Sequence, residues 1–300
     1  MLSLNNIFLT GSSGFVGQNL ICYLNNKYSF VKYYRNDKSQ IHEEIVIHLA
    51  GKAHDVKNTS LSEEYYQANT ELTQKVFDAF LASAAKVFIT MSSVKAVADK
   101  VAGELSEDEI PNPFTHYGKS KLLAEQYILS KKIPEGKRIY VLRPCMIHGP
   151  GNKGNLNLLY QLVSKDLPWP LGAFENKRSF CSIDNVCFII KELIKGEYIP
   201  SGVYNIADDE PLSTNEIIEL IAQSKNTKPR IWKLSQQLIN SISRLGDVLK
   251  LPLNSERLQK LTETYVVNNS KIKKAMGKDL PVSSKDGLLK TFQSFSTNAQ

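Results

Sequence analysis

Seven residues near the start of the chain, Gly11-Ser-Ser-Gly14-Phe-Val-Gly17, constrain the fold more than anything that follows them. They come after an apolar run, residues 7–10, that reads as a strand. They open a segment, residues 14–25, in which Val16, Leu20, Ile21 and Leu24 recur at helical spacing. A glycine turn between strand and helix leaves the helix N-terminus open to an anion. Gly11 permits the tight turn, Gly14 lets a diphosphate approach the backbone, and Gly17 lets the helix pack on the sheet. The spacing is G-x-x-G-x-x-G rather than G-x-G-x-x-G, and such a turn can exist without a ligand. On its own it defines a strand–turn–helix unit.

The rest of the first half repeats that unit. Strands are expected at residues 30–35, 45–50, 87–91 and 139–142, and helices at 63–84 and 117–130. The 45–50 run is apolar almost throughout, as a strand covered on both faces should be. Strand and helix in series imply an α/β fold: a Rossmann-type, doubly wound parallel sheet with helices on both faces. The second half is more mixed. It has helical segments near 155–164 and within 182–195, a short strand at 203–206, and a capping box, Ser213-Thr-Asn-Glu216, opening a helix to 224. This gives a dinucleotide-binding domain over residues 1–150. Residues 151–300 are read as a smaller mixed lobe for substrate over the carboxyl ends of the strands, with some segments able to return to the first domain.

Charge and cysteines narrow the class. The net charge is +7, but no basic stripe is interleaved with aromatics, so nucleic acid is not the expected partner; an anionic small ligand suits the field better. Cys22, Cys145, Cys181 and Cys187 form no C-x-x-C pair. They read as reduced thiols of a cytoplasmic protein, with no disulfide or metal framework. No apolar run reaches the ~18–20 residues of a membrane span, and the first residues have no signal-peptide pattern.

Two further groups carry chemistry. Tyr117-Gly-Lys-Ser-Lys121 opens a helix, so Tyr117 and Lys121 lie one turn apart on one face. A phenol titrates near ~10, and a neighbouring ammonium is expected to lower that value and make Tyr117 an acid/base for alcohol–ketone interconversion. Ser92-Ser93 ends the strand 87–91, where a hydroxyl can hold a carbonyl oxygen at the carboxyl edge of the sheet. Each pattern is common alone. Glycine turn, Ser93, Tyr117 and Lys121 together, in this order and on these elements, are not.

At these residues the chain resembles the extended short-chain dehydrogenase/reductase family, the NAD-dependent epimerase/dehydratase group that includes UDP-galactose 4-epimerase. The likeness runs over nearly the whole chain, through His48-Leu-Ala-Gly51, Asn69-Thr70, Leu142-Arg-Pro144 and Gly149-Pro-Gly151. It implies that Gly11, Gly14, Phe15, Val16 and Gly17 hold the cofactor diphosphate, and that Leu49, Ala50, Gly51, Lys52, Asn69, Ser92 and Pro144 complete the cofactor site. Ser93, Tyr117 and Lys121 would be the catalytic set, the last two also touching the cofactor. Ser92-Ser-Val-Lys-Ala96, Gly154-Asn-Leu-Asn-Leu-Leu159 and the run from Leu171 to Ser179 are similar to a subgroup of polysaccharide clusters, C4-reductases and 4-epimerases acting on UDP-linked sugars. By that likeness Asn155, Leu156 and Arg178 face the nucleotide of the donor. Arg257 pairs with its diphosphate or is simply a solvated helix arginine.

Three features depart from the family pattern. Arg35 at the end of the second strand favours a 2′-phosphate, with Asp37 as the NAD-type alternative, so the cofactor is NAD or NADP with a lean to NADP(H). Only residues 38–44, ~25 Å at full extension, separate the second and third strands, where the family fits an extra helix and edge strand. Met146 stands where many epimerases carry asparagine, which suits a different sugar such as a deoxy one. The leading reading is therefore a 4-keto-sugar reductase in surface polysaccharide precursor synthesis. A UDP-sugar 4-epimerase is the alternative and a non-catalytic cofactor-binding regulator the remote one. A 4,6-dehydratase fits less well, because Ser92-Ser-Val-Lys95 has no carboxylate. A homodimer through the helices 63–84 and 117–130 is expected. The segment 231–249 gathers Trp232, Leu234, Leu238, Ile239, Ile242 and Leu245 on one face, which fits a packed lobe helix or dimer contact better than a membrane surface.

Overall fold

The computed structural model describes residues 5–33, 40–53, 61–152, 156–249 and 254–297. The strands β1 (Asn5–Thr10), β2 (Tyr28–Lys32), β3 (Ile45–His48) and β4 (Val87–Met91) alternate with helices α1 (Phe15–Leu24), α2 (Ser62–Tyr65) and α3 (Leu72–Ala82). After β5 (Glu104–Leu105) come α4 (His116–Ser130), β6 (Arg138–Pro144), β7 (Met146–His148), α5 (Leu156–Ser164), β8 (Phe180–Ser182), α6 (Ile183–Lys195) and β9 (Gly202–Ile206). The chain then runs through α7 (Thr214–Ser224), α8 (Gln236–Leu249), α9 (Ser255–Thr262), β10 (Val266–Val267), α10 (Ser270–Met276) and α11 (Ser284–Thr297).

The main sheet has the order β2-β1-β3-β4-β6-β9, parallel throughout. Side chains alternate across it as the pleat requires. Ile7, Leu9, Ile47, Ile89 and Leu142 enter the layer with α1 and α6. Phe8, Val46, Phe88, Ile139 and Val141 enter the opposite layer with Val76, Phe77 and Phe80 of α3. Burial on both faces explains why β3 reads as a continuous apolar run. Among the described residues β2 is the edge of the sheet, and residues 40–44 add neither helix nor strand outside it.

Four elements of the second half, α6, β9, β10 and α10, join the main sheet or its covering layer, β10 by pairing with β5; β9 pairs with β6 from Tyr140↔Gly202 to Pro144↔Ile206. The remainder forms the lobe. There β7 pairs with β8, and two apolar clusters gather Leu156, Tyr160, Phe180 and Phe292 in one and Trp169, Ile218, Ile239 and Leu258 in the other. The helix expected at 63–84 is not one regular helix. A π-helical turn, Tyr66–Glu71, separates α2 from α3. No helix among the described residues is long and apolar enough to cross a membrane.

The α3 side of the sheet rests on an aromatic triple: Phe88 lies 5.0 Å from Phe77 and 5.2 Å from Phe80, ring centre to ring centre, and all three are fully buried. Phe88→Ala is expected to cost about 3–5 kcal/mol, seen as a lower midpoint in denaturant unfolding with little change in slope.

Candidate active site

The strand order reverses between β1 and β3, and the turns after β1, β3 and β4 meet at that crevice. Gly11 has φ +71°, and a Cβ there would lie 2.6 Å from the Ala50 nitrogen. A Cβ on Gly17 would lie 2.3 Å from the Gly11 carbonyl oxygen. Both positions therefore need glycine, one for its φ and its close approach, the other to let α1 sit on the turn. Gly14 caps α1 and donates from its nitrogen to Gly11 O at 3.0 Å, leaving the helix N-terminus facing outward. The side chains of Phe15 and Val16 are partly buried and pack on the main core. An open cavity of about 850 Å³ begins at Gly11 and runs past Tyr33, Ala50, Gly51 and Lys52 to the π turn. The cavity takes in Gly11 of the glycine turn, next to the N-terminus of α1, and so leaves room beside that turn for a dinucleotide. Lys52 and Glu64 pair across it.

A polar chain fixes the β3 turn from below. The Ala50 N–H donates to Thr10 Oγ1 at 3.1 Å, and Thr10 Oγ1 is 2.7 Å from His48 Nδ1. His48 Nε2 is 2.9 Å from Thr73 Oγ1, which donates to Asn69 O at 2.7 Å. Because the Thr73 hydroxyl spends its proton on Asn69, His48 must donate from Nε2 and accept at Nδ1. The ring is thus held neutral in one tautomer. Burial, helped by the Lys121 charge, pushes its pKa down from 6.5 to about 3.

Asn69 sits in the π turn, where the widened turn aims its amide at two elements at once. Its Oδ1 accepts from Lys52 N at 2.8 Å, and its Nδ2 donates to Lys52 O at 3.1 Å and Ser120 Oγ at 3.0 Å. A Cβ on Gly51 would strike Asn69 Oδ1 at 2.7 Å. Thr70 Oγ1 donates to Ser120 O, tying the same turn to α4. A π turn at a functional site is a recurrent device.

Tyr117 and Ser93 meet at the carboxyl edge of β4. The Ser93 hydroxyl hydrogen-bonds the Tyr117 phenol and also accepts from Lys95 N at 3.2 Å. They are brought together because α4 begins against the Ser93–Ala96 turn, where a Cβ on Gly118 would lie 2.4 Å from Lys95 O. Thr115 caps α4, and Asp99 receives Phe114 N, Thr115 N and the Thr115 hydroxyl. The expected lowering of the Tyr117 pKa by Lys121 does not hold. Burial, the largest cause, raises the phenol above its ordinary value; the Ser93 hydrogen bond draws it partly back, and Tyr65 adds to the rise. Lys121 Nζ instead donates to Met91 O at 2.8 Å. Burial brings the Lys121 pKa down to about 8, against the pull of the Glu125 carboxylate. Glu125 is itself held by Arg143 in a buried two-point ion pair, Nη2 to Oε2 at 2.6 Å and Nε to Oε1 at 3.0 Å.

Ser92 is buried beside Asn69 and Lys121, with its hydroxyl unpartnered among the described residues. Pro144 is buried at the end of β6. On the lobe, Met146 is partly buried against the cluster that contains Leu156, which is fully enclosed and acts as a core side chain. Arg178 is engaged by Glu263 at 2.9 Å and by Lys260 O at 3.0 Å, which brings it to the end of the helix that carries Arg257. Arg257 is exposed near the start of α9. Arg35 and Asn155 lie outside the described residues. Sequence reasoning missed Asp99, Ser120 and Glu125. Glu125 was reachable, four residues after Lys121 on one helix face; the partners of Asp99 and Ser120 come from the tertiary fold.

Residues 7–207 match the model of the "NAD dependent epimerase/dehydratase family". The chain is 29% identical to the UDP-glucose 4-epimerase of Vibrio cholerae, over 96% of its own length and 95% of that protein's. It is 29% identical, with the same coverage, to the N-acetyl-alpha-D-glucosaminyl-diphospho-ditrans,octacis-undecaprenol 4-epimerase of Escherichia coli O157:H7. Among solved structures, the UDP-N-acetylglucosamine 4-epimerase of Bacillus cereus superposes with a TM-score of 0.76 at 19% identity, covering 97% of this chain and 99% of that one. The chain belongs to the NAD dependent epimerase/dehydratase family and is an enzyme of the Rossmann type.

The neutral His48 ties stability to pH. In the unfolded chain it takes a proton below 6.5, whereas in the folded chain it does so only near 3. Stability is therefore fully present above pH 6.5 and falls as pH drops toward 3, by about 1.4 kcal/mol per pH unit from this group. Denaturant unfolding across that window should show a shallower pH slope in His48→Gln than in the wild type, although the variant is less stable at pH 7.

Proposed function

We propose that the enzyme inverts C4 of a hexose or N-acetylhexosamine held through a diphosphate, in the manner of a UDP-sugar 4-epimerase. The observation that carries this reading is the Ser93–Tyr117 hydroxyl pair, set beside Lys121 at the carboxyl edge of the sheet and next to the glycine cradle. Full-length likeness to two 4-epimerases supports inversion over the net reduction that Arg35 and Met146 favour.

Gly11, Gly14 and the first turn of α1 would hold the diphosphate of a nicotinamide dinucleotide, and Ala50, Gly51, Lys52 and Asn69 its flank. A bound nicotinamide would supply the hydride acceptor and donor for the sugar C4. Ser93 holds the C4 oxygen by a hydrogen bond. Tyr117 takes the C4 hydroxyl proton in the oxidative half and returns it in the reductive half. The raised phenol pKa suits proton donation, and Lys121, charged below about pH 8, would touch the cofactor rather than lower the phenol pKa. Asn69 positions the 49–52 loop rather than touching the sugar. Arg178 and Arg257 stand where α9 meets the lobe and would face the diphosphate of the donor.

A second reading, a 4-keto-sugar reductase with a lean to NADP(H), uses the same residues. Two assays separate them. Conversion of UDP-N-acetylglucosamine or UDP-glucose to the C4 epimer without added reductant, followed by NMR, establishes the epimerase. Stoichiometric loss of NADH or NADPH absorbance with a UDP-4-keto-6-deoxy sugar, and no epimerisation, establishes the reductase. The polyprenyl-diphosphate form of N-acetylglucosamine belongs in the same panel, because a relative is named for it. In either case Tyr117→Phe should lower kcat by about 10²–10⁴-fold; near-normal turnover would remove Tyr117 from the chemistry. Turnover should also fall as pH rises through about 8, where Lys121 loses its charge, and Lys121→Met should lose that limb together with most of the rate.

A further inference from the structure

Helix α8 carries two apolar lines. Ile239 faces the lobe and is buried, with Ser243 and Gly246 beside it. Leu238, Ile242, Leu245 and Leu249, spaced four, three and four residues apart, make a second line that is 51%, 40%, 54% and 58% exposed. At 3.6 residues per turn this line lies roughly 100° round the helix from the buried one. Trp232, on the segment leading into the helix, is 51% exposed, and Val248 extends the patch. A water-facing helix of a globular protein does not ordinarily present a continuous aliphatic row.

The charge around the row is one-sided. Residues 225–260 hold eight lysines and arginines against two carboxylates, Asp247 and Glu256, so six of the seven net positive charges of the chain fall in this stretch. Asp247 is turned away to Ser255, and Glu256 pairs with Lys260. Arg230 pairs with Asp166, while Lys228, Lys233 and Arg244 pair with no carboxylate among the described residues.

We propose that α8 and Trp232 form a docking surface for an anionic lipid bilayer. The Leu238–Ile242–Leu245–Leu249 row enters the headgroup boundary, and Lys228, Lys233 and Arg244 meet lipid phosphates. At 14 residues the helix is ~21 Å long, too short to span a bilayer, so it lies in the plane of the surface. A second copy of the chain is the poorer occupant, because self-association would set one strongly basic patch against another. The inference goes beyond the catalytic reading and does not depend on it.

Flotation of the full chain tests it, with vesicles of phosphatidylcholine alone and of phosphatidylcholine mixed equally with phosphatidylglycerol. The wild type should float with the anionic vesicles at low salt and not with the neutral ones. The triple variant L238S/I242S/L245S should lose about tenfold or more of the bound fraction, and K228E/K233E/R244E should do the same. Both variants should keep the wild-type circular dichroism and turnover of a water-soluble substrate. Failure of the wild type to float overturns the proposal, and so does undiminished flotation of the first triple variant. A wild-type dimer that this variant turns into a monomer, with no flotation of either, would make the face a contact between copies and overturn it as well.

Discussion

The site depends on one buried imidazole that is not allowed to carry charge. His48 stands at the end of the central strand β3 with a hydroxyl on each side, and the direction of donation along Ala50, Thr10, His48, Thr73 and Asn69 leaves it a single tautomer. The chain of hydrogen bonds spans β1, β3 and α3, so the turn that approaches Gly11 is held from three elements at once. Were the ring protonated, both nitrogens would donate, and Thr10 would have to give up donating to it. Neutrality is thus a structural requirement, with the full burial of the ring as its cause.

The reacting edge is built on the same logic of enclosed polar groups with assigned partners. Tyr117 is a harder acid to ionise than a free phenol because burial outweighs its hydrogen bond from Ser93. Lys121 is an easier ammonium to discharge for the same reason, although Glu125 resists. The two shifts start from nearly equal ordinary values, 10.0 and 10.5, and run apart, the phenol up and the ammonium down to about 8, because burial disfavours the charged form of each. Arg143 closes the set by occupying both oxygens of Glu125, so the carboxylate acts on Lys121 from a fixed place.

The fold was legible because it is written in local pattern: apolar runs of strand length, helical spacing and a glycine turn between the first two elements. Gly11, Gly14, Gly17, Ser93, Tyr117 and Lys121 could be placed on their elements from spacing alone, and the structure sets Ser93 and Tyr117 in contact. What was not legible depends on contacts between distant segments. The direction in which Lys121 points is decided by the Met91 carbonyl, thirty residues away. The grip of Asp99 on the start of α4 and the bond from Asn69 to Ser120 leave no periodic trace. The return of α6 and β9 to the main sheet follows from pairing along β6, which a short strand signal does not specify.

The π turn at Tyr66–Glu71 has a consequence for how this helix can change. A π turn holds one residue more than the regular helix needs, and α2 and α3 flank it as ordinary helix on either side. Losing one residue there would let the helix heal into an unbroken α-helix, a gain in local regularity. Because the widened turn had absorbed the extra residue, α2 and α3 would keep their facing, but the side chains within the turn would be re-aimed and the Asn69 amide carried away from Lys52 and Ser120. Insertions and deletions are commonly absorbed in loops; here a length change that repairs a helix would undo the site that the helix serves.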